Sequence, residues 1–410
     1  MAFWRIGEKY RDIFHLVSFR EFWLGFTFSA VGDAMTRVAL IWFVYQFTHS
    51  PQAVGWLLLC YTGPVVLGGF FAGSLLDRFD RRMVMLFDNV IRGSAIALIP
   101  LLSFLGYLTL WHLYLVAIVY GFLMMISLAG GPAIFPSLVS EQQLATANAL
   151  ETLSYTLSGV FGPLLAGILI ARFGAPSVLI IDTLSYALFA LALARIRFLV
   201  SPVRSEQQGA KSYRLQDAVS LLLKNSVLLS TTLMFMTFNI GEGILSVWLP
   251  LFADGVLRGG PELYGLLLGV MAGGEVIGSI LAGSLIFSLP LGLLICLAQM
   301  LSGISLSLVW LGSTLWWTII GLALLGLFSA PLTIWAQTLR MQIIPEQLRG
   351  RSFALLRTLM QSTGPMASGA AGTLLPIMGI PVMIGVSAIL VGVPGLFGSG
   401  IKSLRLKSDD

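Results

Sequence analysis

Charged residues are scarce in this chain. Asp, Glu, Lys and Arg together make up 10% of its 410 residues, whereas hydrophobic residues make up 57%. A soluble protein of this length needs far more polar surface, so the composition excludes that class. The apolar stretches are continuous and do not alternate with polar residues, which excludes a membrane β-barrel. The chain therefore has the composition of a protein with many membrane-spanning helices.

Residues that bind metals or form disulfides are also rare. The two cysteines, Cys60 and Cys296, lie far apart within apolar stretches, so neither a disulfide framework nor a cysteine-based metal motif is expected. His15, His49 and His112 lie near the ends of such stretches, as interfacial residues do. No phosphate-binding loop or nucleophile motif occurs. We therefore expect no enzyme activity, cofactor or metal.

Twelve stretches are long and apolar enough to span a bilayer as helices, for which about 20 residues are needed. The predicted spans one to twelve are residues 22–47, 52–76, 84–107, 111–138, 148–171, 176–199, 227–253, 261–287, 289–311, 315–339, 352–377 and 380–401. Much of the abundant glycine (44 residues) lies within them. Small residues of this kind allow membrane helices to approach closely.

Lys and Arg lie almost entirely on one side of this topology. Starting from a cytoplasmic N-terminus, the other side holds only Arg172 and Arg258, so both termini are predicted to be cytoplasmic. The cytoplasmic side then holds Arg5, Lys9, Arg11, Arg20, Arg78, Arg81, Arg82, the 195–224 cluster, Arg340, Arg349, Arg351 and residues 402–407. The net charge of +5 thus reflects topology and contact with anionic lipids, not nucleic-acid binding. The first span is expected to act as an uncleaved insertion signal.

The two halves of the chain resemble each other. Residues 51–76 align without gaps to 261–286, with eleven of 26 positions identical. Residues 139–176 align to 344–381, with ten of 38 identical, including a Glu-Gln pair in a loop. Shared glycine and leucine composition explains some of these matches, but not the Glu-Gln pair. The chain therefore contains a repeat of six spans per half.

This repeat predicts an all-α membrane protein made of two pseudo-symmetric six-helix bundles. The bundles are residues 1–196 and 227–410, and the polar segment 197–226 joins them. Residues 215–223 of this linker have amphipathic spacing and are expected to lie along the membrane surface. Parallel repeats of this kind hold a substrate site between the halves near the midplane, with access that alternates between the two sides.

The loop between spans two and three contains a recognisable pattern. It reads GSLLDRFDRR, in which Gly73, Asp77, Arg78, Arg81 and Arg82 match five of the six positions of G-x-x-x-D-R-x-G-R-R. This loop resembles the signature of the major facilitator superfamily, with Asp80 in place of a glycine. Span count, repeat and loop together extend the resemblance over essentially the whole chain.

The resemblance implies a conformational role for this loop. Asp77 is expected near the start of span eleven, around residues 351–354, where a helix dipole favours an anion. The arginines would clamp acidic groups or lipid headgroups, and Asp88 and Arg92 can pair at i,i+4 spacing. Together these residues would lock the outward-facing state. The alternative is that the arginines only anchor the topology.

Span five resembles the G-P-x-x-G-G motif of the superfamily's exporters through Gly159, Gly162, Pro163 and Gly167. A generic glycine-rich packing face is the alternative interpretation. Residues 113–139, which include nearly all of span four, contain no Arg or Lys, although many proton antiporters of the family carry an Arg in this span. Gly32-Asp33 in span one, followed by Arg37 and Ala39-Leu40, resembles the macrolide-type drug exporters and siderophore exporters.

Four charged residues lie near the middle of predicted spans, where a charge is costly and usually functional. Asp33 and Arg37 are one helical turn apart, so they form either a structural salt bridge or a site in which Asp33 takes up a proton or contacts substrate. Glu242 and Glu275 have no Lys or Arg within a helical turn in the sequence, so we prefer them as proton carriers. Asp182 and Glu151 lie nearer span ends and rank lower.

We therefore expect a secondary transporter in a bacterial inner membrane that exports amphipathic or hydrophobic molecules, such as drugs, in exchange for protons. A lysolipid flippase or siderophore exporter is the alternative, and a non-transporting sensor would need an added soluble domain. The expected partners are a small substrate, protons and membrane lipids. Because the fold encloses its cavity without a second copy, we expect the monomer to function.

Overall fold

The computed structural model describes residues 10–196, 215–284, 289–312 and 314–405. Most of the predicted linker, from 197 to 214, therefore lies outside the described residues. The packing of the chain defines two compact units. Unit 1 is Met1–Gln46 with Cys60–Gln207, and unit 2 is Phe47–Leu59 with Gln208–Asp410.

Twelve long helices follow one another along the described residues, and they correspond in order to the twelve predicted spans. Helices α1 to α12 are Val17–Thr48, Pro51–Arg78, Arg81–Phe104, Leu110–Leu138, Leu144–Phe173, Ala175–Arg195, Ser226–Leu251, Gly260–Ser284, Leu291–Gly312, Leu315–Ile343, Arg349–Met378 and Ile380–Ser399. Eleven of them are long and apolar enough to cross a membrane. The predicted all-α membrane fold is confirmed.

The remaining helix, α11, is long enough to cross a membrane, with 30 residues, but its composition is less apolar. Three arginines lie in its first nine residues, Arg349, Arg351 and Arg357, and small or polar residues follow. Its buried positions are mainly Ala, Gly and Ser, which fit against neighbouring backbone. Helix α11 therefore relies on close packing against its neighbours more than on apolar side chains.

The sequence repeat is also a repeat of local structure. A single 3₁₀ turn, Glu141–Gln143, precedes the 30-residue α5, and its counterpart Glu346–Leu348 precedes the 30-residue α11. Both helices end at a glycine with positive φ: Gly174 has φ 80° and ψ 161°, and Gly379 has φ 81° and ψ 159°. Because side chains disfavour this conformation, the repeated turn explains why glycine stands at both positions.

The amphipathic part of the linker forms a helix, Leu215–Lys224. It buries Ala218 and Leu222 and leaves Leu223 exposed. Leu222 packs with Leu228 of α7 and Leu356 of α11. The apolar positions that give this segment its amphipathic spacing therefore cover one end of these two helices.

Helices α2 and α4 approach each other through a pair of glycines. A Cβ on Gly68 would overlap the carbonyl oxygen of Phe122, and a Cβ on Gly121 would overlap that of Tyr61. Each glycine therefore lies directly against the backbone of the other helix. This contact leaves no room for a side chain on either one.

We expect Gly121→Ala to lower the free energy of unfolding by about 1–3 kcal/mol, the usual cost of overpacking a close contact. The matched control is Gly73→Ala in α2, where no heavy atom lies within 4 Å of an added Cβ. Thermal unfolding of both variants in detergent measures the difference. Equal stability of the two variants would contradict this account of the α2–α4 contact.

Candidate functional site

A buried arginine–aspartate pair lies in the interior of unit 1. Arg92 Nε donates to Asp88 Oδ1 at 3.0 Å, and Arg92 Nη2 donates to Asp88 Oδ2 at 2.7 Å. Both side chains have 0% exposure. The two residues lie one turn apart on α3, so this pairing agrees with their sequence spacing. The bidentate geometry gives both charges direct compensation in the interior.

Neighbouring helices complete the environment of this pair. The guanidinium carbon of Arg92 lies 5.3 Å from the ring centre of Tyr120 on α4 and 4.9 Å from that of Tyr186 on α6. Ser127 Oγ accepts a hydrogen bond from Arg92 Nη2 and donates to Asp88 Oδ2 at 2.9 Å. Aromatic faces stabilise a desolvated cation, so the arginine is held from several sides.

Asp33 of α1 joins this group from the side. Its Oδ2 lies 3.4 Å from Arg92 Nη1, and its Oδ1 accepts a hydrogen bond from the Tyr186 hydroxyl. Asp33 keeps 24% side-chain exposure, in contrast to Asp88 and Arg92. We call these six residues the polar cluster: Asp33, Asp88, Arg92, Tyr120, Ser127 and Tyr186.

The partner of Asp33 differs from the one that its spacing suggested. Among the described residues, its ion pair is with Arg92 and not with Arg37, which is exposed. Arg92 is fixed opposite Asp33 by its bidentate pair with Asp88. The structural salt bridge considered for Asp33 and Arg37 is therefore replaced by a bridge between α1 and α3.

A further carboxylate is buried close to the polar cluster. Asp182 on α6 has 0% exposure and accepts hydrogen bonds from Thr36 Oγ1 at 2.6 Å and from Ser185 Oγ at 2.9 Å. Gly32 makes room for it, because a Cβ there would overlap Asp182 Oδ1. Sequence reasoning ranked Asp182 low because of its position along span six. The sequence does contain a signal for it: Asp182 is an aspartate within an apolar stretch, in the same half of the chain as Gly32 and Asp33.

Unit 2 contains the uncharged counterpart of this contact. Gly241 lies against the carbonyl oxygen of Ser387 on α12, and Ser387 is fully buried. Trp248 Nε1 donates to Ser387 Oγ at 3.2 Å. Ser387 aligns with Asp182 in the repeat, at the same offset of 205 residues as the two aligned prolines, Pro176 and Pro381. The charged version of the repeat contact is therefore found in unit 1.

The two glutamates predicted as proton carriers lie on α7 and α8 of unit 2, and both are half-buried. Glu242 stands between Gly241 and Gly243, and Gly243 lies against the backbone of Gly364 on α11. The residue before Glu275, Gly274, lies against the backbone of α10. Close glycine contacts on these neighbouring positions thus fix the backbone of both glutamates.

The signature loop between α2 and α3 makes specific contacts. Arg81 Nη1 donates to Ala133 O of α4 at 2.6 Å, and Arg82 Nε donates to Leu193 O in the last turn of α6 at 2.5 Å. Asp77 and Arg78 are exposed. In the described part of the chain, Arg81 and Arg82 thus donate hydrogen bonds to backbone carbonyls of two other helices. A cation at a helix C-terminus also complements the helix dipole.

The residue that departs from the signature has a structural role of its own. Asp80 is the N-cap of α3, and its side chain accepts a hydrogen bond from the Met83 amide at 3.2 Å. Its φ is −58°, so glycine is not required here. Aspartate is among the best residues at an N-cap. The substitution therefore leaves the turn intact and caps the helix.

The glycine-rich motif of span five packs against span one. A Cβ on Gly162 of α5 would lie 2.5 Å from the Cβ of Ala34 on α1. Pro163 and Gly167 are buried with it, whereas nothing lies within 4 Å of a Cβ on Gly159. The motif therefore brings α5 against α1 immediately beside Asp33.

One arginine that the sequence places in a cytoplasmic segment is buried in the structure. Helix α10 runs to Ile343, four residues beyond the predicted end of span ten, and Arg340 has 5% exposure. Its guanidinium lies 4.6 Å from the ring centre of Phe235 and donates to Thr231 O at 3.3 Å. The aromatic ring explains how this cation is accommodated.

The sequence of this chain matches the family model of the Major Facilitator Superfamily over residues 22–369. Macrolide efflux protein A of Streptococcus pyogenes is 24% identical over 364 residues, which cover 88% of this chain and 89% of that protein. The enterobactin exporter EntS of Shigella boydii is 26% identical, with 86% and 84% covered. The crystal structure of the nucleoside transporter NupG has a TM-score of 0.78 at 11% identity, with 94% and 98% covered.

These comparisons confirm the family predicted from the loop signature and the branch predicted from span one. The resemblance to NupG concerns the fold alone, since the identity is low. The macrolide and enterobactin proteins resemble this chain over most of its length. The chain is a membrane transporter, and it belongs to the Major Facilitator Superfamily.

Proposed function

We propose that this transporter exports amphipathic or hydrophobic small molecules in exchange for protons, by alternating access of the bundles 1–196 and 227–410. We place it as a monomer in a bacterial inner membrane, with both termini in the cytoplasm. Two relatives are named for the export of a macrolide and of enterobactin, which supports export as the direction. The residues that support proton exchange are the carboxylates at the middle of the spans.

The observation that carries the proposal is the position of Asp33 in the polar cluster. Asp33, Asp88 and Arg92 together have a net charge of −1 when both carboxylates are ionised. A net charge in a low-dielectric interior is costly, and a proton on Asp33 removes it. Asp33 also has the most exposed side chain of the three, with 24% exposure against 0% for Asp88 and Arg92. It is therefore the carboxylate that can exchange a proton with water.

Glu242 and Glu275 supply proton-carrying groups in unit 2. Both carboxylates lie within spanning helices and are half-buried. A glutamate at this depth is less costly to hold when it is protonated. Uptake and release of a proton at each position would therefore change the charge in the interior of unit 2 as access alternates.

We expect the double variant Glu242→Gln with Glu275→Gln to lose substrate-triggered proton movement. Purified protein in liposomes with an imposed pH gradient, and a pH-sensitive dye inside, measures this flux as lipophilic cations, macrolides or lysolipids are added. The matched control is Glu262→Gln, an exposed glutamate at the start of α8. A double variant with the pH dependence of the wild type would contradict these carriers. Lysolipid movement without proton flux would instead favour a flippase.

A further inference from the structure

Helix α5 carries a buried carboxylate that the polar cluster does not use. Glu151 has 7% exposure, and its Oε1 has no hydrogen-bond partner among the described residues. One turn further on, the Tyr155 hydroxyl is buried and likewise lacks a hydrogen-bond partner in the described part of the chain. Buried polar atoms are normally satisfied, so two such atoms on one helix face require an explanation.

The face that carries them continues toward Asp33. Positions 151, 155, 158 and 162 follow the spacing of a single helix face. Ser158 is buried, and Gly162 lies against Ala34, the residue after Asp33. From 151 to 162 the helix rises by about 16 Å, at 1.5 Å per residue. A polar stripe of Glu151, Tyr155 and Ser158 thus runs from the first turns of α5 to the level of Asp33.

Helix α1 packs along the stripe. The Phe26 ring stands edge-on to Tyr155 at 5.3 Å, and Thr27 Oγ1 lies 2.7 Å from Ser154 Oγ. Trp23 Nε1 donates to Leu150 O at 3.0 Å. These contacts with α1 come from uncharged groups. They keep α5 in register with α1 without neutralising the Glu151 carboxylate.

The charged groups that face the stripe from other helices lie on α1 and α3. The Tyr155 phenol interacts electrostatically with Glu151 on its own helix and with Asp33 and Arg92. Glu151 also lies against Gly131 of α4. Arg81, at the start of α3, donates a hydrogen bond to Ala133 O, two residues after Gly131. Tyr155 therefore stands between Glu151 and the polar cluster.

We propose that Glu151 and Tyr155 form a proton path between Asp33 and the end of α5 that is predicted to be cytoplasmic. The Tyr155 hydroxyl oxygen takes up the proton that Asp33 releases, and Tyr155 gives its own hydroxyl proton to Glu151. Because neither the Tyr155 hydroxyl oxygen nor Glu151 Oε1 has a hydrogen-bond partner among the described residues, bridging water carries the proton across each gap. Glu151 then releases a proton to water at the cytoplasmic end, so that Tyr155 and Glu151 return to their starting states and Asp33 is left ionised. This inference rests on the proposed proton exchange and names the route by which the proton leaves.

Infrared difference spectroscopy tests the path without any substrate. Acid-minus-alkaline spectra of the purified wild type should contain the carbonyl band of a buried carboxylic acid that is lost in Glu151→Gln and shifted in Tyr155→Phe. The exposed Glu141, just before α5, supplies the control Glu141→Gln, which should retain the band. A Glu151→Gln spectrum identical to that of the wild type would overturn the assignment.

Transport by the same variants in liposomes separates the path from the proposed function. We expect Glu151→Gln to slow substrate-triggered proton movement at least about tenfold while exchange of labelled for unlabelled substrate continues. If the wild type moves protons and both Glu151→Gln and Tyr155→Phe match it, the path is wrong and proton exchange stands. If the wild type itself moves no protons with any transported substrate, the proposed exchange fails and the path fails with it.

Discussion

Replacing Arg92 with glutamine should lower the free energy of unfolding by about 3–5 kcal/mol, the cost of leaving a buried ion pair with one partner. The substitution removes both hydrogen bonds to Asp88 and the ion pair with Asp33. Asp88 has no exposure through which water could replace them. The tyrosine rings beside Arg92 would then face a carboxylate without its cation, and among the described residues this carboxylate keeps only the hydrogen bond from Ser127.

The control for this prediction is Arg37→Gln, which removes the same charge from an exposed position on α1. It should change the stability by no more than about 0.5 kcal/mol. The double variant Arg92→Gln with Asp88→Asn should recover part of the loss, because no buried pair is left half-broken. Denaturation of all variants in mixed micelles measures these differences. An Arg92→Gln variant as stable as Arg37→Gln would show that the pair contributes nothing to the fold.

The sequence predicted those features that depend on local order along the chain. Continuous apolar runs identified the helices, and the Asp88–Arg92 pair followed from i,i+4 spacing on one helix. The alignment of 139–176 to 344–381 matched two segments that fold alike, since each contains a helix that ends at a glycine with positive φ, Gly174 or Gly379. Each of these inferences needs only the geometry of one helix or one turn.

The remaining features depend on which helices lie side by side. Asp33 and Arg92 are 59 positions apart, and Thr36 and Asp182 are 146 apart. No periodicity within one helix contains these pairings, because they arise from the packing of α1 against α3 and α6. The closer pair on the same helix, Asp33 and Arg37, was consequently the one that spacing favoured. The burial of Arg340 was missed for a related reason, since the ring of Phe235 that covers it belongs to another helix.

Replacing Asp33 with asparagine should change the stability little and abolish proton–substrate coupling, whereas the Arg92 substitution is expected to lower the stability. The amide oxygen can still accept the hydrogen bond of Tyr186, and Arg92 keeps its bidentate pair with Asp88. The net charge of Asp33, Asp88 and Arg92 changes from −1 to zero, so we expect the stability to change by no more than about 1 kcal/mol. Proton–substrate coupling, in contrast, should be lost.

Coupling is reciprocal, so it can be measured as the pH dependence of substrate binding. If a proton and the exported substrate compete, the wild type should bind substrate more weakly at acidic pH, by about 5–150-fold across the transition. The neutral amide of asparagine resembles a protonated aspartate, so Asp33→Asn should keep the weak, acidic-side affinity at every pH. The matched comparison is Asp88→Asn, which changes the same charge in the fully buried pair and should lower the stability instead. An Asp33→Asn variant with the pH dependence of the wild type would assign the coupling to other carboxylates and leave the polar cluster a structural role.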